Sequence, residues 1–159
     1  MINFIISLNV DIGDEMSMTK QPIMKFNDLE EANKWLDYYK EKLFLQDWNI
    51  KIVFEIDNED DSTGAHIEYN SPEKEAIISI IRHSDEVNKE LVSKNCEQRL
   101  LLHEMFHIKL DLPYEYYDNG IDTVDKRIMY DKTHQLIDDM AKSVLMIQYN
   151  LDFSWFKNY

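Results

Sequence analysis

One predicted helix, with two histidines and a glutamate inside its apolar stretch, constrains this chain most. Residues 95–110 contain neither glycine nor proline, and Pro113 is the first helix breaker after them. The segment therefore predicts one helix, with Asn95 as its N-cap. Apolar residues cover most of its surface: Leu101, Met105, Ile108, Leu102 and Phe106. Such a helix is buried, and polar side chains inside it are costly unless a partner satisfies them.

Within the apolar stretch 100–108 of this helix, the polar residues are His103, Glu104 and His107. Positions four apart lie one turn apart on the same helix face, so the two imidazoles can bind one metal ion. Zinc accepts imidazole ligands in tetrahedral geometry and lowers the pKa of its bound water to about 7. The pattern predicts one Zn²⁺ per chain and a Glu104 that takes the proton from this water for attack on a peptide carbonyl. A buried helix with two hydrogen-bonded histidines and no metal is the alternative.

A catalytic zinc site needs a third protein ligand and an open position. The metzincin arrangement is excluded, because Leu110 and Pro113 occupy the positions of its glycine and its third histidine. His134 is the candidate third ligand. Ile137 and Ala141 share its face of a predicted helix, which directs His134 toward the core.

Several other polar residues are candidates for further roles at this site. Asp138 lies one turn after His134 and is a candidate partner for it, either as the carboxylate that bonds a metal-free core histidine or as the group that orients a ligand. The carboxylates that could replace His134 as ligand are Asp131, Asp138 and Glu115. The tyrosines of the loop after the motif helix are candidate oxyanion donors, although such a cluster can also simply pack: Tyr114, Tyr116 and Tyr117.

Periodicity along the chain predicts an α+β domain. The expected elements are a helix over 29–45, a strand over 48–56, a hairpin with arms 65–69 and 76–81, the motif helix, and a last helix over 124–150. This order favours helices on one side of a small, mostly antiparallel sheet, in a single domain over residues 1–159. The apolar residues 1–10 are expected to form a first strand, or else residues 1–22 are a poorly ordered or non-native extension.

Charge and cysteine content limit the partners and the compartment. The formal net charge of −14 argues against nucleic acid and against anionic membrane surfaces, both of which attract basic proteins. Nothing in the sequence approaches the roughly 20 apolar residues of a membrane span. Cys96 is the single cysteine. We expect it to be a core residue of a cytoplasmic protein, because no intrachain disulfide is possible.

Residues 27–150 resemble the small, gluzincin-like zinc metallopeptidases of bacteria and their phages, which have the minimal zincin fold. The resemblance is carried by His103, Glu104, His107 and the order of elements. It implies a zinc-dependent peptidase that acts on a peptide or protein substrate, and it leaves the substrate unspecified. Such families more often have a glutamate where His134 stands. The competing interpretation is a catalytically weak or inactive zincin-like module of a phage or mobile element that sequesters a protein partner.

Overall fold

The computed structural model describes residues 21–57, 64–83, 96–110 and 123–158. Within these ranges the chain is α+β, as predicted. Its elements are α1 (Leu29–Lys42), β1 (Asn49–Asp57), β2 (Ala65–Asn70), β3 (Glu75–His83), α2 (Glu97–Leu110), α3 (Thr123–Tyr149) and a closing 3₁₀ helix (Phe153–Asn158). Residues 1–20, on which the expectation of an N-terminal extension mostly falls, lie outside the described ranges.

The three described strands form one mixed sheet in the order β1-β3-β2. The hairpin is confirmed, since β2 and β3 are antiparallel, but β1 and β3 run parallel along nine residue pairs. The expectation of a mostly antiparallel sheet is therefore wrong. β3 is apolar on both faces, and the middle of the sheet is the position in which such a strand is most buried. Its Ile78 and Ile80, on the helix-facing side, are fully buried. Because β3 lies between the other two strands, β1 pairs with β3 and not with β2.

Helix α1 begins and ends with recognisable caps. The Asp28 side chain accepts a hydrogen bond from the Glu31 backbone N–H at 2.8 Å, which is the expected N-cap. The helix ends at Lys42 rather than at Leu45. Phe44 adopts the left-handed conformation with φ of 56°, and the Leu45 N–H bonds the Lys40 carbonyl at 2.8 Å. This is a Schellman motif with phenylalanine in place of the usual glycine. The sequence therefore lacks the glycine that would have predicted the end of the helix.

Helix α2 is the centre of the fold. It contacts the sheet, α1 and α3, and its apolar residues are buried as the sequence predicted. Helix α3 packs along α2 and buries Ile137, Ala141 and Leu145 against it. In the described ranges, no helix combines the length and the apolarity that crossing a membrane requires.

The start of α2 is tied to a distant part of the chain. The N–H groups of Glu97 and Gln98 bond the carbonyl oxygens of Met24 and Ile23 at 3.0 and 3.2 Å. These bonds satisfy donors that a helix leaves unpaired in its first turn. The helix begins at Glu97, and the expected Asn95 cap lies outside the described residues. The Cys96 thiol donates to the Ile23 carbonyl oxygen at 3.3 Å and is buried, so Cys96 is a core residue, as expected.

Candidate metal centre

Three imidazoles meet between α2 and α3. Helix α2 supplies His103 and His107, and α3 supplies His134. One ring nitrogen of each lies within 4.8 Å of one nitrogen of each of the others. The structure therefore brings together the three histidines that the sequence predicted as ligands.

The spacing of the two α2 histidines suits a metal ion. Their Nε2 atoms lie 3.3 Å apart. Two nitrogens bound to one zinc at about 2.0–2.1 Å with a tetrahedral angle are separated by about 3.3 Å. The residues present therefore fit a zinc ion, because α2 already holds two ligand atoms at the required separation.

Burial keeps these imidazoles neutral. It lowers the pKa of His103 to about 4, with a further contribution from His107. It also lowers the pKa of His107 to about 4, with a contribution from His134, and it lowers the pKa of His134. Neutral imidazole is the form that binds metal, so all three rings offer a lone pair near neutral pH.

Glu104 follows His103 in the same helix and is 5% exposed. Burial raises the pKa of this carboxyl group to about 7. A cation among the histidines would oppose this effect and favour the carboxylate. Glu104 is thus a buried carboxyl group, adjacent in sequence to a candidate ligand, with a pKa near neutral pH.

Asp138 lies beside His103 and not beside His134. Its Oδ1 atom accepts a hydrogen bond from Arg99 and stands 3.9 Å from His103 Nδ1, and its Oδ2 atom pairs with Lys142 at 2.6 Å. The expectation that Asp138 bonds His134 is therefore wrong. Helix spacing puts Asp138 and His134 on one face of α3. The Asp138 carboxylate is nevertheless bound by Arg99 of α2 and by Lys142, one turn further along α3.

Of the remaining predicted site residues, the structure describes Asp131, which is not part of the histidine group. Asp131 is exposed, and its charge only opposes the lowering of the His134 pKa by burial. Glu115 and the candidate oxyanion donors Tyr114, Tyr116 and Tyr117 lie outside the described residues. Among the residues that the structure describes, the one group of three or more possible ligands is the three histidines.

Two residues at the site were missed in the sequence. The Tyr130 ring packs on the His134 ring with 4.3 Å between centroids, and Arg99 reaches Asp138 across the helix interface. Each precedes a candidate ligand by four positions, Tyr130 before His134 and Arg99 before His103. The same spacing that identified the histidine pair was therefore the available signal.

Comparison of the chain with protein-family models, with curated proteins and with solved structures finds no match.

Proposed function

We propose that this chain is a zinc-dependent peptidase in which His103, His107 and His134 hold one zinc ion and Glu104 is the general base. The observation that carries the proposal is the meeting of three neutral imidazoles from two packed helices, with a buried glutamate directly after the first histidine in the sequence. Only a hydrolytic role requires a glutamate beside the first histidine.

The roles of the protein groups follow from their positions. Bound zinc supplies a Lewis acid that polarises the scissile carbonyl and makes a water molecule acidic enough to react near neutral pH. Glu104 accepts the proton of the attacking water and passes it to the leaving amine. His103 and Glu104 are adjacent residues of α2, so one rigid element holds both the ligand and the base.

A purely structural zinc site fits these residues less well. Structural sites usually have four protein ligands, often cysteine, and keep no general base. Three histidines form the candidate group in the described chain. The single cysteine, Cys96, is buried at the start of α2, where its thiol bonds a backbone carbonyl. Three candidate ligands, with a buried glutamate after the first of them in the sequence, favour a site with an open position for substrate.

The sheet offers a means of holding an extended peptide. β2 is an outer strand of the described sheet and contacts α2, the helix that carries the motif. A substrate strand that pairs with β2 would gain affinity from backbone hydrogen bonds, with little choice of side chains. We therefore propose a peptide or protein substrate. The net charge of −14 and the single thiol support a cytoplasmic protein that does not bind nucleic acid.

Peptide cleavage by wild type and Glu104→Gln tests the proposal. Both proteins, loaded with zinc, are incubated with a mixed peptide library, and the products are identified by mass spectrometry. Wild type should cleave, and Glu104→Gln should be slower by about 10²–10⁴-fold, because glutamine cannot accept the proton. Equal cleavage by both proteins excludes Glu104 as the base. A wild type that cleaves nothing, together with a mutant that keeps the biological phenotype, supports the sequestering module instead.

A further inference from the structure

Two rows of polar side chains face each other where α2 packs on α3. On α2, Arg99, His103 and His107 follow one another at intervals of four residues. On α3 the matching row is His134, Asp138 and Lys142. One end of the seam is the histidine group, and the other is an ion-pair cluster centred on Asp138.

Asp138 has two cations and one imidazole around it. Arg99 donates to Oδ1, Lys142 pairs with Oδ2 at 2.6 Å, and His103 Nδ1 lies 3.9 Å from Oδ1. All these side chains are largely buried, with Asp138 26% exposed. The oxygen that faces His103 is thus the oxygen that Arg99 occupies.

His103 Nδ1 is buried and has no hydrogen-bond partner among the residues that the structure describes. The 3.9 Å to Asp138 exceeds hydrogen-bond length. A histidine that binds metal through Nε2 normally donates its Nδ1–H to a carboxylate or carbonyl, which fixes the tautomer and makes the ligand more basic. Asp138 is the carboxylate closest to His103 Nδ1 among these contacts. Its bonds to Arg99 and Lys142 keep it beyond hydrogen-bond distance of that nitrogen.

We infer that Asp138 is the positioning residue for His103, and that Arg99 and Lys142 limit metal affinity by competing with His103 for the Asp138 carboxylate. This inference rests on the proposed metal site. It adds a control of metal affinity to that site. When the contacts of Arg99 and Lys142 with Asp138 are weakened, Asp138 should accept the His103 Nδ1–H, and metal binding should become stronger.

The test compares zinc affinities of full-length, tag-free variants by competition with a chromophoric chelator. Lys142→Gln should bind zinc several-fold more tightly than wild type, because it releases Oδ2 and so lets the Asp138 carboxylate turn toward the His103 Nδ1–H while Arg99 stays bound. Lys132→Gln is the matched control, because Lys132 is an exposed lysine of the same helix and its loss changes the net charge equally. Asp138→Asn should bind zinc more weakly than wild type, but by less than the roughly 10- to 100-fold that losing a fully formed carboxylate–histidine bond costs.

A second measurement reads the hydrogen bond without any metal. Imidazole ¹H–¹⁵N spectra of the metal-free proteins should show the His103 Nδ1–H further downfield in Lys142→Gln than in wild type and in Lys132→Gln. Asp138→Asn leaves Arg99 and Lys142 without their anion, so its folding is checked by circular dichroism. If it fails to fold, the Lys142→Gln comparison decides.

The outcomes separate this inference from the proposed function. Equal zinc affinities and equal Nδ1–H shifts for Lys142→Gln and Lys132→Gln overturn the inference, as does wild-type affinity in a folded Asp138→Asn. A wild type that takes up no zinc overturns both the inference and the proposed peptidase. A wild type that shows the expected affinity order but cleaves no peptide overturns the peptidase alone.

Discussion

Arg82, near the end of β3, donates two hydrogen bonds to the carboxylate of Glu97, in the first turn of α2, from Nε at 2.9 Å and from Nη2 at 2.8 Å. The same carboxylate accepts the Phe26 backbone N–H at 2.7 Å, and the Arg82 guanidinium lies 3.5 Å from the centre of the Phe54 ring. This pair joins the sheet to the helix that carries His103, Glu104 and His107, so it fixes where the candidate metal centre stands.

Loss of Glu97 should destabilise the whole fold. Its side chain is only 7% exposed, and removing one partner of a buried pair leaves the other charge uncompensated, at a cost of about 3–5 kcal/mol. Because the Arg82 side chain keeps some contact with solvent, we expect about 3 kcal/mol for Glu97→Gln in urea unfolding. The control is Glu30→Gln, which breaks an exposed pair with Lys34 and should change stability by less than about 0.5 kcal/mol. Equal effects of the two substitutions would refute the anchoring role of Glu97.

His134→Ala should weaken zinc binding by more than the roughly 10- to 100-fold expected for groups that only orient a ligand. The reason is that this substitution removes one of three ligands from the metal ion. Isothermal titration with zinc measures the effect, and Asp131→Asn is the control, since Asp131 is exposed and lies three positions from His134. If Asp131→Asn loses affinity and His134→Ala keeps it, the carboxylate and not the imidazole is the third ligand.

Glu104→Gln should stabilise the metal-free protein at pH 8 and have little effect at pH 4.5. The carboxyl group has a pKa of about 7 in the folded chain, above its ordinary value of 4.5, because it is buried. A group with a raised pKa contributes stability that is fully present below its unfolded pKa and is lost as the pH rises through its folded pKa. Glutamine does not titrate, so the stability difference between mutant and wild type should grow between pH 4.5 and about 7. Urea unfolding at several pH values measures it, and a difference that does not vary with pH would contradict the buried position of Glu104.

Local sequence patterns predicted the elements well because each depends on near neighbours. The periodic apolar residues predicted α2 and α3, and the four-residue spacing of His103 and His107 predicted that both lie on one face of α2. His134 was found for the same reason, since Ile137 and Ala141, both buried, defined the inner face of α3. Every one of these inferences uses contacts within one element.

What the sequence did not predict depends on contacts between elements. The parallel pairing of β1 with β3 is a choice of partner that alternation within a strand does not encode. The carbonyl oxygens that cap α2 come from Ile23 and Met24, more than 70 residues before it. Asp138 was assigned to His134 because the two share a helix face, whereas its partner Arg99 belongs to α2.

Elemental analysis of protein purified without a histidine tag tests the central claim most directly. We expect about one zinc per wild-type chain, and loss of that zinc in a His103→Ala/His107→Ala double variant. Removing the metal with a chelator should lower the thermal midpoint, and adding zinc back should restore it, because a ligand that binds only the folded state stabilises it. A metal-free wild type that is fully folded and takes up no zinc on titration would contradict the account.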